Sequence, residues 1–323
     1  MSKITVAGAG AFGSALAVAL DMADHDVTLV GRSVDAFRES RDNPRLAGVP
    51  IPQRIKLSTS LEVTGDDLLL LAVPMQSLAE YLSETAPRPK AAIACCKGVD
   101  LATGRGPSAI MRDALDCPSA ILTGPSFAAD IARGLPTALV VATQDPMGPE
   151  LQETLSTDTL RLYLSDDPIG AELGGALKNV IAIACGLCIG AGIGESARAA
   201  LMTRGMAEIL RVSVALGAKP ETLAGLAGFG DLALTCTSEQ SRNFSLGLSI
   251  GGKGEAPKAT TEGRHTARAI VKLAEAKGVE MPIAKMVAGV VEGKLTLEEA
   301  LSLLLSRPLT KEWPYAYRPD LHR

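Results

Sequence analysis

Lys3–Val30 reads KITVAGAGAFGSALAVALDMADHDVTLV, and the order of its parts decides the fold. KITVA is a short apolar run with the length of a buried strand. Gly8-Ala9-Gly10-Ala11-Phe12-Gly13 follows directly, then a helical run over Ser14–Ala23, then a second strand-like run, Asp26–Val30. Strand, glycine turn, helix and strand within about 30 residues make a βαβ unit. A GxGxxG pattern alone is a weak signal. Between a strand and a helix it becomes the fingerprint of a dinucleotide site. There Gly8 permits the tight turn, Gly10 lets the backbone approach a pyrophosphate, and Gly13 lets the helix pack closely on the strand. The helix N-terminus adds free N–H groups and a positive partial charge for the anion. The same run after Lys3 imitates a signal peptide, but three glycines make a poor hydrophobic region and the βαβ reading accounts for it better.

Outward from this unit, further strands are expected at Leu68–Ala72, Ala91–Cys95, Ala120–Thr123, Thr137–Ala142 and Leu160–Leu164. Helical patterns at Met75–Thr85 and Pro107–Leu115 separate several of them. Strands alternating with helices predict a parallel, doubly wound α/β sheet of the Rossmann type. The character changes at Asp166-Asp167-Pro168, where proline after acidic residues favours a helix start. Beyond it, Ala/Leu/Gly-rich helical stretches run over 168–192, 196–217, 220–233, 264–277 and 294–305. The expected organisation is a dinucleotide-binding domain over 1–166 and a second, all-α substrate and catalytic domain over 167–323, in keeping with a chain of 323 residues.

Net charge is −4, which disfavours a nucleic-acid partner. The longest uncharged apolar stretch, Val180–Gly194, falls short of the ~18–20 residues a bilayer needs, so no membrane span is expected and the protein reads as cytoplasmic. Cys185 and Cys188 form a CxxC without a second pair at ligand spacing, so they read as buried free thiols and no metal site is expected. The Gly/Ala-rich helices could pack within one subunit or between two, which leaves a monomer or a homodimer open.

NAD binders commonly carry a carboxylate at the end of the second strand. This chain has Gly31-Arg32-Ser33 there, and Arg32 sits where a 2′-phosphate needs a charged fork. NADP is therefore the expected cofactor, with NAD as the alternative. Lys97-Gly98 ends another strand, at the sheet edge where ligands bind. Reducing a ketone needs a positioned proton donor. His25, His265 and His322 lie in polar turns or at the terminus and suit that role poorly. Lys178 suits it better, because it interrupts an apolar helix and a desolvated ammonium must be paired or shift its pKa. In Gly228–Asn243, Asp231 could pair with or orient a lysine, and Ser241, Arg242 and Asn243 suit an anionic ligand, unless they simply start a capped helix. Arg242 could reach a substrate phosphate, a cofactor phosphate or both.

The chain resembles the bacterial NAD(P)-dependent glycerol-3-phosphate dehydrogenase family nearly end to end. The resemblance rests on GAGAFGSALA at 8–17, GR at 31–32, CCKG at 95–98, GPSFA at 124–128 and GLPTA at 134–138. ELGGALKN at 172–179, GFGDL at 228–232, SRN at 241–243 and TTEG at 260–263 complete it. It implies Lys178 as the catalytic proton donor and acceptor. It implies Lys97, Gly124, Ser126, Asp231, Ser241, Arg242 and Asn243 around a phosphorylated triose, with Asn179 and Thr235 near it. For the cofactor it implies Phe12, Arg32, Lys97, Ala128, Arg242, Thr260 and Glu262, beside the glycines at 8, 10 and 13. The expected reaction is hydride transfer between NAD(P)H and dihydroxyacetone phosphate, giving glycerol 3-phosphate for phospholipid. Ala11-Phe12 replaces the Ser-Trp of many relatives, which puts a hydroxyl contact to the pyrophosphate in doubt; Ser33 and Thr260-Thr261 also depart from the pattern. Two rivals remain: a β-hydroxyacid or 6-phosphogluconate-type dehydrogenase, and a non-catalytic NADP(H) sensor.

Overall fold

The computed structural model describes residues 1–255, 257 and 261–306. Eight strands among them form one sheet: β1 (Lys3–Ala7), β2 (Asp26–Val30), β3 (Lys56–Ser58), β4 (Leu68–Leu71), β5 (Ala91–Ala94), β6 (Ser119–Thr123), β7 (Thr137–Ala142) and β8 (Leu160–Ser165). The order is β3-β2-β1-β4-β5-β6-β7-β8. The first six strands in that order are parallel, and the strand order reverses at β1, with β2 on one side and β4 on the other, which opens the crevice where dinucleotides bind in such sheets. Leu68–Leu71 and Ala91–Ala94 are buried along their whole length, as a strand covered on both faces must be.

Five helices cover this sheet: α1 (Ala11–Met22), α2 (Leu78–Thr85), α3 (Pro107–Ala114), α4 (Ala128–Ala132) and α5 (Gly148–Leu155). The sheet departs from the expected all-parallel form at one pair, since β7 runs antiparallel to β6. The reason lies in the connection. α4 spans five residues, about 7.5 Å, and cannot carry the chain back along a strand of about 20 Å. The chain therefore re-enters the sheet from the end at which it left. β8 then pairs parallel with β7.

The helical part follows as α6 (Pro168–Gly190), α7 (Glu195–Ala215), α8 (Pro220–Ala224), α9 (Asp231–Cys236), α10 (Arg242–Ile250), α11 (Glu262–Ala276), α12 (Pro282–Val291) and α13 (Leu297–Leu305). Asp167 caps α6 by accepting a hydrogen bond from the Gly170 N–H at 2.9 Å, and Pro168 takes the first helical position. α6 is the one described helix long and apolar enough to cross a membrane, but 94% of its apolar window is buried inside the protein. It is the core helix. Leu173, Leu177, Ile181 and Cys185 are among the residues it contributes to a core shared with α7 and α9–α12.

The abundant glycines of α6 are used within the chain. A Cβ on Gly186 would sit 2.0 Å from the Phe244 carbonyl oxygen, and one on Gly247 would sit 2.2 Å from that of Ile183. α6 and α10 thus cross backbone to backbone, which only glycine at both positions permits. The single helix expected over 220–233 is broken in two. Between α8 and α9 lies a π-helical turn, Leu226–Gly230, whose backbone presses on α6: a Cβ on Gly174 would lie 2.5 Å from the Ala227 oxygen. α10 bears out the capped helix start that the sequence offers as an alternative at Ser241–Asn243, and α12 has no counterpart in the sequence reading. α12 starts where a carboxylate from α7 meets it: Glu208 accepts from the Ile283 and Ala284 N–H groups at 2.7 and 3.2 Å.

Candidate active site

The glycine turn joins β1 to α1 beneath the carboxyl end of β4. Gly8 has φ of +120°, and a Cβ there would lie 2.4 Å from the Ala72 oxygen. A Cβ on Gly13 would meet the Gly8 oxygen at 2.0 Å, so this glycine sets the helix against the turn. At Gly10 the same construction meets no atom within 4 Å. The turn is closed on the protein side and open outward at Gly10, at the N-terminus of α1, so the residues present fit a dinucleotide pyrophosphate. Phe12 is partly buried against the sheet core, as is Ala128 at the start of α4. Arg32, past the end of β2, is exposed.

The chemistry gathers at the same carboxyl edge of the sheet, beyond the end of β5, with β4 between it and the glycine turn. The apolar spacing of α6 turns Lys178 inward, and the π-helical turn before α9 delivers Asp231 to meet it. Asp231 is fully buried and holds two ammonium groups, one on each carboxylate oxygen. Its Oδ1 accepts a short hydrogen bond from Lys178 Nζ, and its Oδ2 accepts from Lys97 Nζ at 2.7 Å. Lys178 Nζ also donates to Thr235 Oγ1 at 2.7 Å, one turn along α9. Lys97, from the loop after β5, donates further to the Gly124 carbonyl at 3.4 Å. The Lys178 side chain is 8% exposed and that of Lys97 15%. Burial pulls the Lys178 ammonium down to about 8, opposed by the Asp231 charge and assisted by repulsion from Lys97. An amine in that range can give or take a proton near neutrality.

The other expected residues lie around this cluster. Gly124 ends β6 with φ of +139°. Ser126 Oγ donates to the Gly124 oxygen at 3.3 Å. Ser241 Oγ caps α10 by accepting from the Phe244 N–H at 3.3 Å, so the capped-helix reading of this stretch holds. Arg242 follows, exposed. Asn179 and Asn243 are buried, and both abut the start of α11: Asn243 Oδ1 accepts from the Gly263 N–H at 3.0 Å, and a Cβ on Gly263 would lie 2.7 Å from the Asn179 oxygen. Glu262, the first residue of α11, has its carboxyl pushed up by burial, with Arg242, Lys97 and Lys178 pulling it down. That ties α11 electrostatically to the lysine pair. Thr260 lies outside the described residues.

Three neighbours were not legible beforehand. Glu172, one and a half turns before Lys178 on α6, accepts from the Ser108 N–H at 3.1 Å and so clamps α6 to the start of α3; burial pushes its carboxyl up. Its partner is 64 residues away, and no local pattern announces it. Thr123 Oγ1, at the end of β6, is buried without a hydrogen-bond partner among the described residues. It faces Gly175, where a Cβ would lie 2.7 Å from Thr123 Oγ1 and 3.6 Å from the Lys97 side chain. Asn43 ties the loop after β2 to the glycine turn, donating to the Ala9 oxygen at 3.2 Å and to Ser14 Oγ at 2.8 Å.

Sequence models described as the N-terminus and C-terminus of NAD-dependent glycerol-3-phosphate dehydrogenase match residues 3–148 and 167–302. The glycerol-3-phosphate dehydrogenase (NAD(P)+) of Cereibacter sphaeroides is 57% identical over 314 residues, covering 96% of this chain and 100% of that protein. Its counterpart from Paracoccus denitrificans is 54% identical over 317 residues, with the same coverage. Among solved structures, glycerol-3-phosphate dehydrogenase from Coxiella burnetii superposes with a TM-score of 0.88 at 33% identity, covering 95% of this chain and 99% of that one. These likenesses along both halves, with a glycine turn and a lysine–aspartate–lysine cluster at one edge of the sheet, show that the chain belongs to the NAD-dependent glycerol-3-phosphate dehydrogenase family.

Proposed function

We propose that this protein reduces dihydroxyacetone phosphate to sn-glycerol 3-phosphate with NADPH, and with NADH as the second choice, in a reversible reaction in the cytoplasm that feeds glycerophospholipid synthesis. One observation carries the reading: a fully buried carboxylate holds two ammonium groups, that of Lys178 buried and that of Lys97 partly so, at the sheet edge that also carries a turn with room for a pyrophosphate. A bound reduced nicotinamide would supply the hydride that the C2 carbonyl carbon takes up. Lys178 Nζ gives its proton to the C2 oxygen as charge develops there, and regains one from solvent after product leaves. With its ammonium pulled to about 8, Lys178 is mostly charged at pH 7 and serves as the acid for reduction. Above that pH it is mostly neutral and serves as the base for oxidation. Asp231 and Thr235 fix the direction of Nζ. Lys97 leaves fixed positive charge beside the carbonyl oxygen while Lys178 loses its own.

The substrate phosphate falls to Arg242 with the Ser241 hydroxyl and the Asn243 amide, and Gly124, Ser126 and Asn179 line the remainder. Gly8, Gly10, Phe12, Gly13, Arg32 and Ala128 take the nucleotide, with Thr260, Arg242, Lys97 and Glu262 at its nicotinamide side. In this scheme residues 1–166 hold the cofactor and 167–323 the substrate. Oxidation of NADPH and of NADH is measured with dihydroxyacetone phosphate and, separately, with 3-keto acids. Turnover of the triose phosphate alone supports the reading. Turnover of 3-keto acids moves the protein to the β-hydroxyacid type, and NADPH binding without any turnover makes it a sensor.

A further inference from the structure

The loop after β2 carries several arginines, and most are committed. Arg38 pairs with Asp35 at 2.6 Å, Arg54 pairs with Asp24 at 3.0 Å, and Arg41 Nη1 donates to the Ile55 oxygen at 3.0 Å. Two are different. Arg32 and Arg45 are both exposed, and among the described residues neither has a carboxylate partner. They flank one hydroxyl: Arg32 precedes Ser33 in the chain, and Arg45 Nη1 donates to Ser33 Oγ at 3.1 Å.

Arg45 does not reach this place by chance of a mobile side chain. Asn43, 2% exposed, bonds to the glycine turn and to α1 through its amide, and its Oδ1 accepts from the Arg45 N–H at 3.0 Å. The end of β2 is fixed against the same turn: a Cβ on Gly31 would lie 2.6 Å from Ala9 Cβ. The turn that receives the pyrophosphate, the end of β2 and the backbone of Arg45 are thus one rigid unit. In a dinucleotide fold, the ribose hydroxyls of the adenosine half lie just past the end of this strand. Two guanidinium groups and a hydroxyl there, with no acidic group among them, make a receptor for a dianion and a poor one for a diol.

We propose that Arg45 is a specificity-determining residue that joins Arg32 and Ser33 in holding the 2′-phosphate of NADP(H). This rests on the cofactor reading above and extends it to a residue outside the glycine and Gly-Arg motifs. Because the Arg45 side chain is held by Ser33 and its backbone by Asn43, less side-chain entropy is lost when its guanidinium meets a phosphate. Ser33 exchanges one acceptor role, from the arginine, for a place in a three-way contact with the phosphate oxygens.

The test is calorimetric and needs no turnover. The full chain is titrated with NADPH and NADH, and with two unreactive fragments, adenosine 2′,5′-bisphosphate and AMP. The wild type should favour each 2′-phosphorylated ligand over its partner. Arg45→Ala should weaken NADPH and the bisphosphate on the order of tenfold, the scale of a charge-assisted contact at a partly exposed site, and change NADH and AMP by less than about twofold. Arg45→Lys should restore part of the loss, since the charge returns without the fork. The discrimination should shrink as salt rises. Equal weakening of phosphorylated and unphosphorylated ligands by Arg45→Ala, or no weakening of either, overturns the assignment while leaving NADP preference with Arg32. A wild type that does not distinguish the bisphosphate from AMP removes the NADP reading itself, and Arg45 with it, without touching the reduction of dihydroxyacetone phosphate.

Discussion

Asp231→Asn separates the two things its carboxylate does, because charge is lost while size is nearly kept. In the wild type the Lys178 ammonium lies at about 8 against 10.5 for an ordinary lysine. Burial is the largest cause and Asp231 the main counterweight, so neutralising Asp231 leaves burial and Lys97 acting in one direction. The ammonium must fall further. A drop of roughly two units would take it from about 90% to about 10% charged at pH 7. Reduction, which needs the charged form, then loses about tenfold from protonation alone, before any loss of aim. The profile carries the signature. For kcat/KM of reduction, which reports the free enzyme, the wild type should be flat between pH 6 and 7 and decline above about 8. The variant should already be rising as pH falls through 7. A decline that stays near 8 in Asp231→Asn, or a loss of equal size at every pH, would refute the claim that this carboxylate holds the proton on Lys178.

The same shift bounds the stability cost. The folded value of Lys178 is depressed below its unfolded value, so between pH 8 and 10.5 the unfolded chain binds more protons. Its penalty on stability is therefore fully present below pH 8 and is relieved as pH rises through that window. At pH 7 this is about 3 kcal/mol in the wild type. In the variant it can grow only until the amine sheds its proton, about 1 kcal/mol more, because one pH unit separates 7 from 8. Breaking a buried ion pair often costs about 3–5 kcal/mol, since the stranded charge has nowhere to go. Here it has somewhere to go, and Lys97 is exposed enough to regain water. Urea unfolding should show Asp231→Asn destabilised by about 1–3 kcal/mol at pH 7, with the Lys178 share vanishing above about pH 9.

Three other substitutions probe separate parts of the site. Lys178→Ala leaves Asp231 paired with Lys97, so the chain should fold and bind NADPH within about twofold of the wild type while kcat for reduction drops ~10²–10⁴-fold; near-normal turnover would end its assignment as proton donor. Gly10→Ala places its methyl in open space, so thermal unfolding should move by less than about 2 °C while the Kd for NADPH, followed by nicotinamide fluorescence, rises on the order of tenfold. Unchanged affinity would mean that no ligand approaches that turn. Gly186→Ala does the reverse, driving a methyl into the Phe244 carbonyl where no flexible side chain can yield. A loss of about 3 kcal/mol, or roughly 4–5 °C in Tm for a chain of this length, is expected by calorimetry, and a Tm within 2 °C of the wild type would contradict the close crossing of α6 and α10.

The sequence makes legible whatever is written locally. The glycine turn was legible because strand, turn and helix are contiguous, so one window of sequence contains the whole device. The inward face of Lys178 was legible because a charge in an apolar helix has few tolerable explanations. The direction of β7 was not, since alternation of side chains is the same for a strand run in either sense. What decides it is the length of α4. The three-residue β3 is too short to show any period. The break between α8 and α9 follows from Gly174 on another helix, and the start of α12 from Glu208, 75 residues before it. Each is settled by a partner distant in sequence.

The site itself divides along the same line. Asp231 could be proposed as a partner for a lysine, but not for two, because Lys97 comes from 134 residues upstream in the other half of the chain. Its arrival depends on α6 lying across the ends of β5 and β6, with Gly175 close against Thr123 and Lys97 and with Glu172 fastening the helix to α3. The pairing matters chemically as well as structurally. A lone buried lysine–aspartate pair is neutral and would hold its proton tightly. A second ammonium on the same carboxylate makes the cluster net positive, which loosens the proton on Lys178 and leaves a charge behind when that proton goes. Burial remains the largest reason that Lys178 is pulled toward neutrality, but the ammonium that adds to it comes from the sheet, so no stretch of either half contains the whole arrangement.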